Sequence, residues 1–205
     1  MKFKDNLNIC EIEKLYGAYN PVNDLPIVIV PRKINLDNRG EFSRLFDSLE
    51  LGLNLEQFKD GVVQSSISKS FLAGTLRGIH VQASPSQEAK LVSVINGSII
   101  DFIIDLRKNS STYLRKIQIE IGSDDPFSIL VPGGFGHGIY TLESNTIVSY
   151  AMNVAYDPSK DLAINFRDKD LNLNLSGEVT CISEKDKNAP ELKVVELTNR
   201  IGNLT

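Results

Sequence analysis

The segment Lys116-Ile117-Gln118-Ile119-Glu120-Ile121 alternates polar and apolar residues without a break. In an extended chain, successive side chains point to opposite faces. This stretch therefore sets its isoleucines on one side and its polar residues on the other, as a half-buried antiparallel strand does. Short apolar runs recur along the chain at Leu25 to Val30, Gly61 to Ser66, Lys90 to Ile95, Ile99 to Leu106, Ser128 to Val131 and Thr146 to Met152. Between them stand Asn96-Gly97, Lys108-Asn109-Ser110-Ser111, Ser123-Asp124-Asp125-Pro126 and Pro132-Gly133-Gly134, which carry hairpin and loop chemistry. These connections are too short for the helical crossovers that parallel strands need. The chain is expected to be all-β, a sandwich, jelly roll or barrel, with closure of the sheet removing exposed edges. Helical periodicity is confined to Ile9 to Leu15, Leu51 to Phe58 and Glu191 to Leu197.

At 205 residues the chain fits one domain able to bury a substantial core. A net charge of −4, with lysine and arginine scattered along the chain, offers no basic footprint for nucleic acid. Residues 1–17 mix charges among their apolar positions, unlike a signal peptide, and no apolar run approaches the length of a membrane span. A soluble cytoplasmic protein is expected. Cys10 and Cys181 have no ligand-like spacing and are expected to be reduced packing residues.

The chain has only two histidines, His80 and His137. They cannot supply the His-x-His pair, carboxylate and further histidine of a metal-binding double-stranded β-helix, so no metal is expected and proton chemistry is the leading use of the rings. His80 closes the phrase Leu76-Arg77-Gly78-Ile79-His80, where glycine allows close backbone approach; locally it reads equally well as an ordinary part-buried histidine. Lys90 opens an apolar strand. Its ammonium either emerges at the rim or points into the barrel, where it can stabilise negative charge on a substrate oxygen. Asp101 and Asp105 share one strand face and must be ligand contacts or partners of a cation such as Arg107 or of a histidine. Tyr150 shares its face with Val148 and Met152; it is either a packed tyrosine with a bonded hydroxyl or a proton donor in a dry pocket. No glycine-rich phosphate loop is present, which leaves arginines such as Arg39, Arg77 and Arg115 to clamp a phosphate.

Taken in order, several phrases resemble the dTDP-4-dehydrorhamnose 3,5-epimerase family of cupin-type nucleotide-sugar epimerases. They are Asp37-x-Arg39-Gly40-x-Phe42, Leu76-Arg77-Gly78-Ile79-His80-x-Gln82, Gln87-x-x-Lys90-Leu91-Val92, Asp105-Leu106-Arg107, Val131-Pro132-x-Gly134-Phe135-Gly136-His137-Gly138, Tyr150, Tyr156-x-Pro158 and Ser183-x-Lys185-Asp186. The resemblance implies a cupin-like jelly-roll barrel of two antiparallel sheets with short flanking helices, usually a homodimer. In those terms 1–25 is an N-terminal extension, 26–190 the barrel core and 191–205 a tail. It also implies a cofactor-free reaction on a nucleotide-linked 4-keto-6-deoxy sugar, inverting C3, C5 or both through an enolate. His80 matches the base, Asp186 its carboxylate partner, Tyr150 the acid on the other face and Lys90 the cation over the enolate oxygen. His137 matches a second pocket histidine, and Arg39, Phe42, Gln64, Arg77, Tyr156 and Lys185 fall on substrate-binding positions.

The chain departs from the family pattern at Arg44, where a glutamate is usual, and at Gln64-Ser65-Ser66, where Gln-x-Asn is usual. These changes fall in the nucleotide-recognition set and leave dTDP, CDP and GDP carriers open. Alternative functions are a sugar-nucleotide 3,4-ketoisomerase, a non-catalytic sugar-nucleotide-binding cupin and a metal-dependent cupin oxygenase.

Overall fold

In the computed structural model Lys116–Gly122 is a strand, with Ile117, Ile119 and Ile121 buried and Glu120 exposed. The structure describes residues 21–22, 25–83 and 88–197, so the helix expected at Ile9 to Leu15 and Cys10 lie outside the described residues. Two antiparallel sheets face each other. The first runs in the order β1 (Pro21–Val22), β2 (Leu25–Pro31), β10 (Phe127–Val131), β7 (Lys90–Asn96), β12 (Thr146–Met152) and β5 (Gln64–Ser70). The second runs β13 (Asp161–Ala163), β6 (Thr75–Gln82), β11 (Phe135–Thr141), β8 (Ser98–Asp105) and β9 (Lys116–Gly122), with β14 (Cys181–Ile182) joining β6 in parallel. A separate hairpin of β3 (Ile34–Asp37) and β4 (Gly40–Ser43) stands outside both. This is the cupin-like arrangement of two antiparallel sheets with short helices.

The inner faces of the sheets share one core that includes Val92, Val94, Ile103, Ile119, Ile129 and Val148. Strand β8 is a continuous apolar run because it is buried on both faces. It sends Ile99 and Ile103 inward, and Ile100, Phe102 and Ile104 outward against Leu162, Ile164, Phe166 and Leu192 of the C-terminal segment. The outer face of the first sheet is covered by α1 (Ser48–Asn54) and a 3-10 turn at Glu56–Phe58, which place Leu51, Leu55 and Phe58 on Val28, Val30, Leu91 and Leu130. Burying each such side chain stabilises the fold by roughly 1.5–3 kcal/mol. Asp47 caps α1 by accepting from the Leu49 and Glu50 amides.

Several sequence expectations shift. The strand expected at Gly61 to Ser66 begins at Gln64 and continues to Ser70. Its inward positions are Gln64, Ser66, Ser68 and Ser70 while Ile67 faces out, so the apolar pattern does not mark it. The helix expected over Leu51 to Phe58 is split at Leu55, whose backbone is extended. The C-terminal helix, α3, covers Leu192–Leu197. Cys181 is exposed on β14 rather than packed, because a two-residue strand on the sheet's margin leaves it at the surface.

Strand β11 was not expected, since Phe135-Gly136-His137-Gly138 combines two poor strand formers. Its glycines are a packing requirement. A Cβ on Gly138 would lie 2.5 Å from Ile79 Cδ1, and one on Gly78 would lie 2.7 Å from both the Gly138 Cα and the His137 carbonyl oxygen. Gly78 also has φ +120°, a backbone conformation strained for any other residue. Close approach of β6 and β11 sets His80 directly opposite His137 in the register. Gly78→Ala is therefore expected to destabilise the protein by at least about 2 kcal/mol. In thermal denaturation the midpoint should fall by roughly 4–8 °C; an unchanged midpoint would show that the two strands can separate freely.

Candidate active site

Both sheets contribute to a cavity of about 490 Å³. Strand β6 supplies Arg77 and His80, β11 supplies His137, β7 supplies Lys90, β12 supplies Tyr150, and the segment after β14 supplies Lys185 and Asp186. A second lobe of about 220 Å³ shares His80, Lys90, Tyr150 and Lys185 and adds Ser66, Glu88, Tyr156 and Asp161. The alternation of β6 and β12 turns His80 and Tyr150 into this space from opposite sheets.

His80 Nε2 lies 2.6 Å from Asp186 Oδ1, and Gly78 N–H donates to Asp186 Oδ2 at 3.1 Å. Asp186 stands in the four-residue helix α2 (Glu184–Lys187), where the Ser183 hydroxyl caps the helix by accepting from the Asp186 amide. Burial opposes ionisation of Asp186, but the hydrogen bond and charge of His80, the Gly78 amide and the Ser183 hydroxyl together hold its carboxyl below the usual range. A carboxylate in this position fixes the ring orientation and stabilises an imidazolium.

Lys90 points into the cavity, with its side chain only 13% exposed, and its ammonium pairs with Glu88 at 2.7 Å. Tyr150 stands on the neighbouring strand of the same sheet, two residues along the register from the partner of Lys90. Desolvation pushes the Tyr150 phenol up to about 12; the Ser68 hydroxyl and Arg77 act in the opposite sense, and Asp101 in the same sense. Tyr150 is thus held in its proton-bearing form. His137 Nε2 lies 2.6 Å from Asp101 Oδ1, and its ring meets Tyr150 edge-on with centroids 6.2 Å apart. Asp101 therefore takes the histidine alternative. Asp105 takes the arginine one, accepting from Arg107, Ser110 and Thr112 as a structural ion pair, with Arg107 stacked over Phe135.

Of the expected substrate contacts, Arg77 lines the main cavity, Tyr156 the second lobe, and Lys185 both. Arg77 donates to the Ser70 hydroxyl and the Lys69 carbonyl. Asp161 accepts from both the Tyr156 hydroxyl and the Lys185 ammonium. Its hydrogen bond pushes the Tyr156 phenol up to about 12. Gln64 instead accepts from the Tyr156 amide at 3.0 Å, anchoring that loop. Arg39 and Phe42 are exposed on the β3–β4 hairpin, where Arg39 pairs with Asp37, and neither lines the cavity around His80. Arg44 pairs with Asp47 in another groove, beside Arg32 and Lys33. Sequence reasoning missed Glu88 and Asp161, the carboxylate partners of the cavity lysines. Glu88 was detectable as a charge two residues from Lys90; Asp161 carried no signal.

Residues 22–194 match the family model described as dTDP-4-dehydrorhamnose 3,5-epimerase. The dTDP-4-dehydrorhamnose 3,5-epimerase of Sinorhizobium fredii (strain NBRC 101917 / NGR234) is 32% identical over 89% of this chain and 92% of its own. Among solved structures, dTDP-6-deoxy-D-glucose-3,5-epimerase from Legionella pneumophila Philadelphia 1, in complex with dTDP-4-keto-L-rhamnose, superposes with a TM-score of 0.80 at 29% identity, covering 87% of this chain and 94% of that one. The dTDP-4-dehydrorhamnose 3,5-epimerase from Bacillus anthracis str. Ames, with TDP and PPi bound, gives 0.76 at 32% identity, covering 83% and 97%.

The lowered carboxyl of Asp186 has a stability consequence. Its folded pKa lies below the ordinary 3.8, so its stabilisation is present above about that pH and lost as pH falls through the folded value. Wild type is expected to exceed Asp186→Ala by on the order of 2 kcal/mol near neutrality, in chemical denaturation. The gap should narrow below pH 3.8; a gap that stays constant down to about pH 2.5 would contradict the pairing.

Proposed function

The chain belongs to the dTDP-4-dehydrorhamnose 3,5-epimerase family, and on that premise we propose that it epimerises a dTDP-linked 4-keto-6-deoxy sugar, with His80 as base and Tyr150 as acid. One observation carries the reading: His80 and Tyr150 enter one cavity from opposite sheets, with Lys90 on the same cavity wall. A sugar ring between them meets a base on one face and a proton donor on the other, which inversion requires.

The ketone at C4 acidifies the hydrogens on C3 and C5. His80 takes one as a proton, and Asp186 stabilises the imidazolium that forms. The electron pair moves into the carbonyl to give an enolate, whose oxygen Lys90 stabilises with ammonium protons that Glu88 does not occupy. Tyr150 then delivers its proton to the opposite face of the carbon, the His80 imidazolium releases its proton to solvent, and solvent returns one to the phenolate. No metal or cofactor is part of this proposal.

A dTDP carrier is favoured because the ligand-bound relatives hold TDP or a dTDP-linked keto sugar. Arg77 is the proposed diphosphate contact. Among the described residues its guanidinium has no carboxylate partner, whereas Lys90 and Lys185 are both paired. Arg39 and Phe42 lie off the cavity of their own chain, so a role for them in nucleotide binding requires a second copy; a homodimer is part of the proposal.

With dTDP-, CDP- and GDP-linked 4-keto-6-deoxy sugars in deuterated water, NMR is expected to show deuterium at C3, C5 or both of the dTDP substrate, with inversion. His80→Ala should lower that exchange by about 10²–10⁴-fold. Exchange at the wild-type rate in the variant would remove His80 from its role, and a product with a relocated carbonyl would identify a ketoisomerase instead.

A further inference from the structure

Asp101 is fully buried on β8, and its two oxygens have different environments. Oδ1 lies 2.6 Å from His137 Nε2, while Oδ2 has no hydrogen-bond partner among the described residues. A buried carboxylate with an orphaned oxygen destabilises a fold, and an apolar side chain would fill the barrel interior at lower cost. Stability therefore does not account for an aspartate here. The chemistry of its neighbours does.

The His137 side chain is 7% exposed, too enclosed to act freely on substrate, whereas that of His80 is 34% exposed. The two imidazoles occupy paired positions on adjacent strands and each contacts a carboxylate through Nε2. What distinguishes His137 is its other contact, the edge-on approach to Tyr150 at an interplanar angle of 78°. Asp101, His137 and Tyr150 thus form one line of contacts from the interior of the second sheet to the cavity face of the first.

We propose that Asp101 is a positioning residue that acts through His137 to hold the Tyr150 phenol on the face of the sugar opposite His80. This inference rests on the epimerase reading and assigns a step within it. Proton removal by His80 does not need the Asp101–His137 pair; inversion does. Without the pair, Tyr150 loses the edge that orients it, and the enolate is reprotonated by the His80 imidazolium. In that sequence the C–H bond breaks first, with the proton passing to His80; that proton exchanges with solvent on the part-exposed ring, and a C–D bond then forms on the original face. Deuterium enters without inversion.

The test uses the full chain and a dTDP-linked 4-keto-6-deoxy sugar in deuterated water, with NMR following two rates: deuterium incorporation and appearance of the inverted epimer. Asp101→Ala is expected to raise the ratio of exchange to inversion at least about tenfold over wild type, in the same direction as Tyr150→Phe. Asp101→Asn, whose carbonyl oxygen can still accept from the His137 ring, should restore the ratio toward wild type. His137→Gln keeps a donor for Asp101 but removes the ring edge, and should raise the ratio even if Asp101→Ala does not fold. A folded Asp101→Ala or His137→Gln whose two rates fall together, leaving the ratio unchanged, overturns the assignment and leaves Asp101 a packing residue. A wild-type chain that incorporates no deuterium overturns the epimerase reading itself, and this inference with it.

Discussion

Asp186 is 3% exposed and divides its carboxylate oxygens between the His80 ring and the Gly78 amide. A buried carboxylate that lost these partners would be strongly destabilising, so the C-terminal segment must be delivered to β6 with its helix already aimed. Three features do this. Strand β14 pairs with the start of β6 at Thr75 and Leu76, β13 pairs with its end from His80 to Gln82, and Ser183 begins a helical turn between them. The apolar residues of 162–195 that cover the second sheet hold the whole segment down. The His80–Asp186 pair and the outer layer of the barrel are consequently one unit.

The same economy explains what the sequence reveals and what it conceals. The pleat forces alternation on any strand with one wet face, so Lys116–Gly122 is legible residue by residue. Strand β8 is legible as an apolar run, and the two aspartates that interrupt it are legible as needing partners, because buried charge demands them. Strand β5 is concealed for the opposite reason. Its inner face borders the cavity rather than the packed core, so serines occupy positions that a core would give to isoleucine. Strand β11 is concealed because its glycines serve Ile79, a residue on another strand, and no local propensity records that.

The partnerships at the site follow the same division. Asp105 and Arg107 are two residues apart on one strand exit, and their pairing can be read directly. His80 and Asp186 are 106 residues apart, and only the resemblance to a family joined them before the fold did. Ser183 three residues before Asp186 is a helix-capping pattern, yet the pattern says nothing about which strand the helix faces. Local chemistry names the groups; topology chooses their partners.

Those choices leave a cavity in which nearly every charge is spoken for. His80 has Asp186, His137 has Asp101, Lys90 has Glu88 and Lys185 has Asp161. Paired cations attract a dianionic diphosphate weakly, but they are held in place, and a held donor stabilises charge that appears only during reaction without first having to reorganise. Lys90 illustrates the distinction: Glu88 fixes the ammonium and still leaves it protons for the enolate of the proposed reaction. In the proposed reaction, attraction for the substrate must then come from a group outside such pairs, and Arg77 at the cavity is the candidate. On the proposed function, the site thereby separates binding at Arg77 from charge stabilisation at the paired groups, and binding energy gained at the first would hold a neutral keto sugar beside groups suited to its enolate.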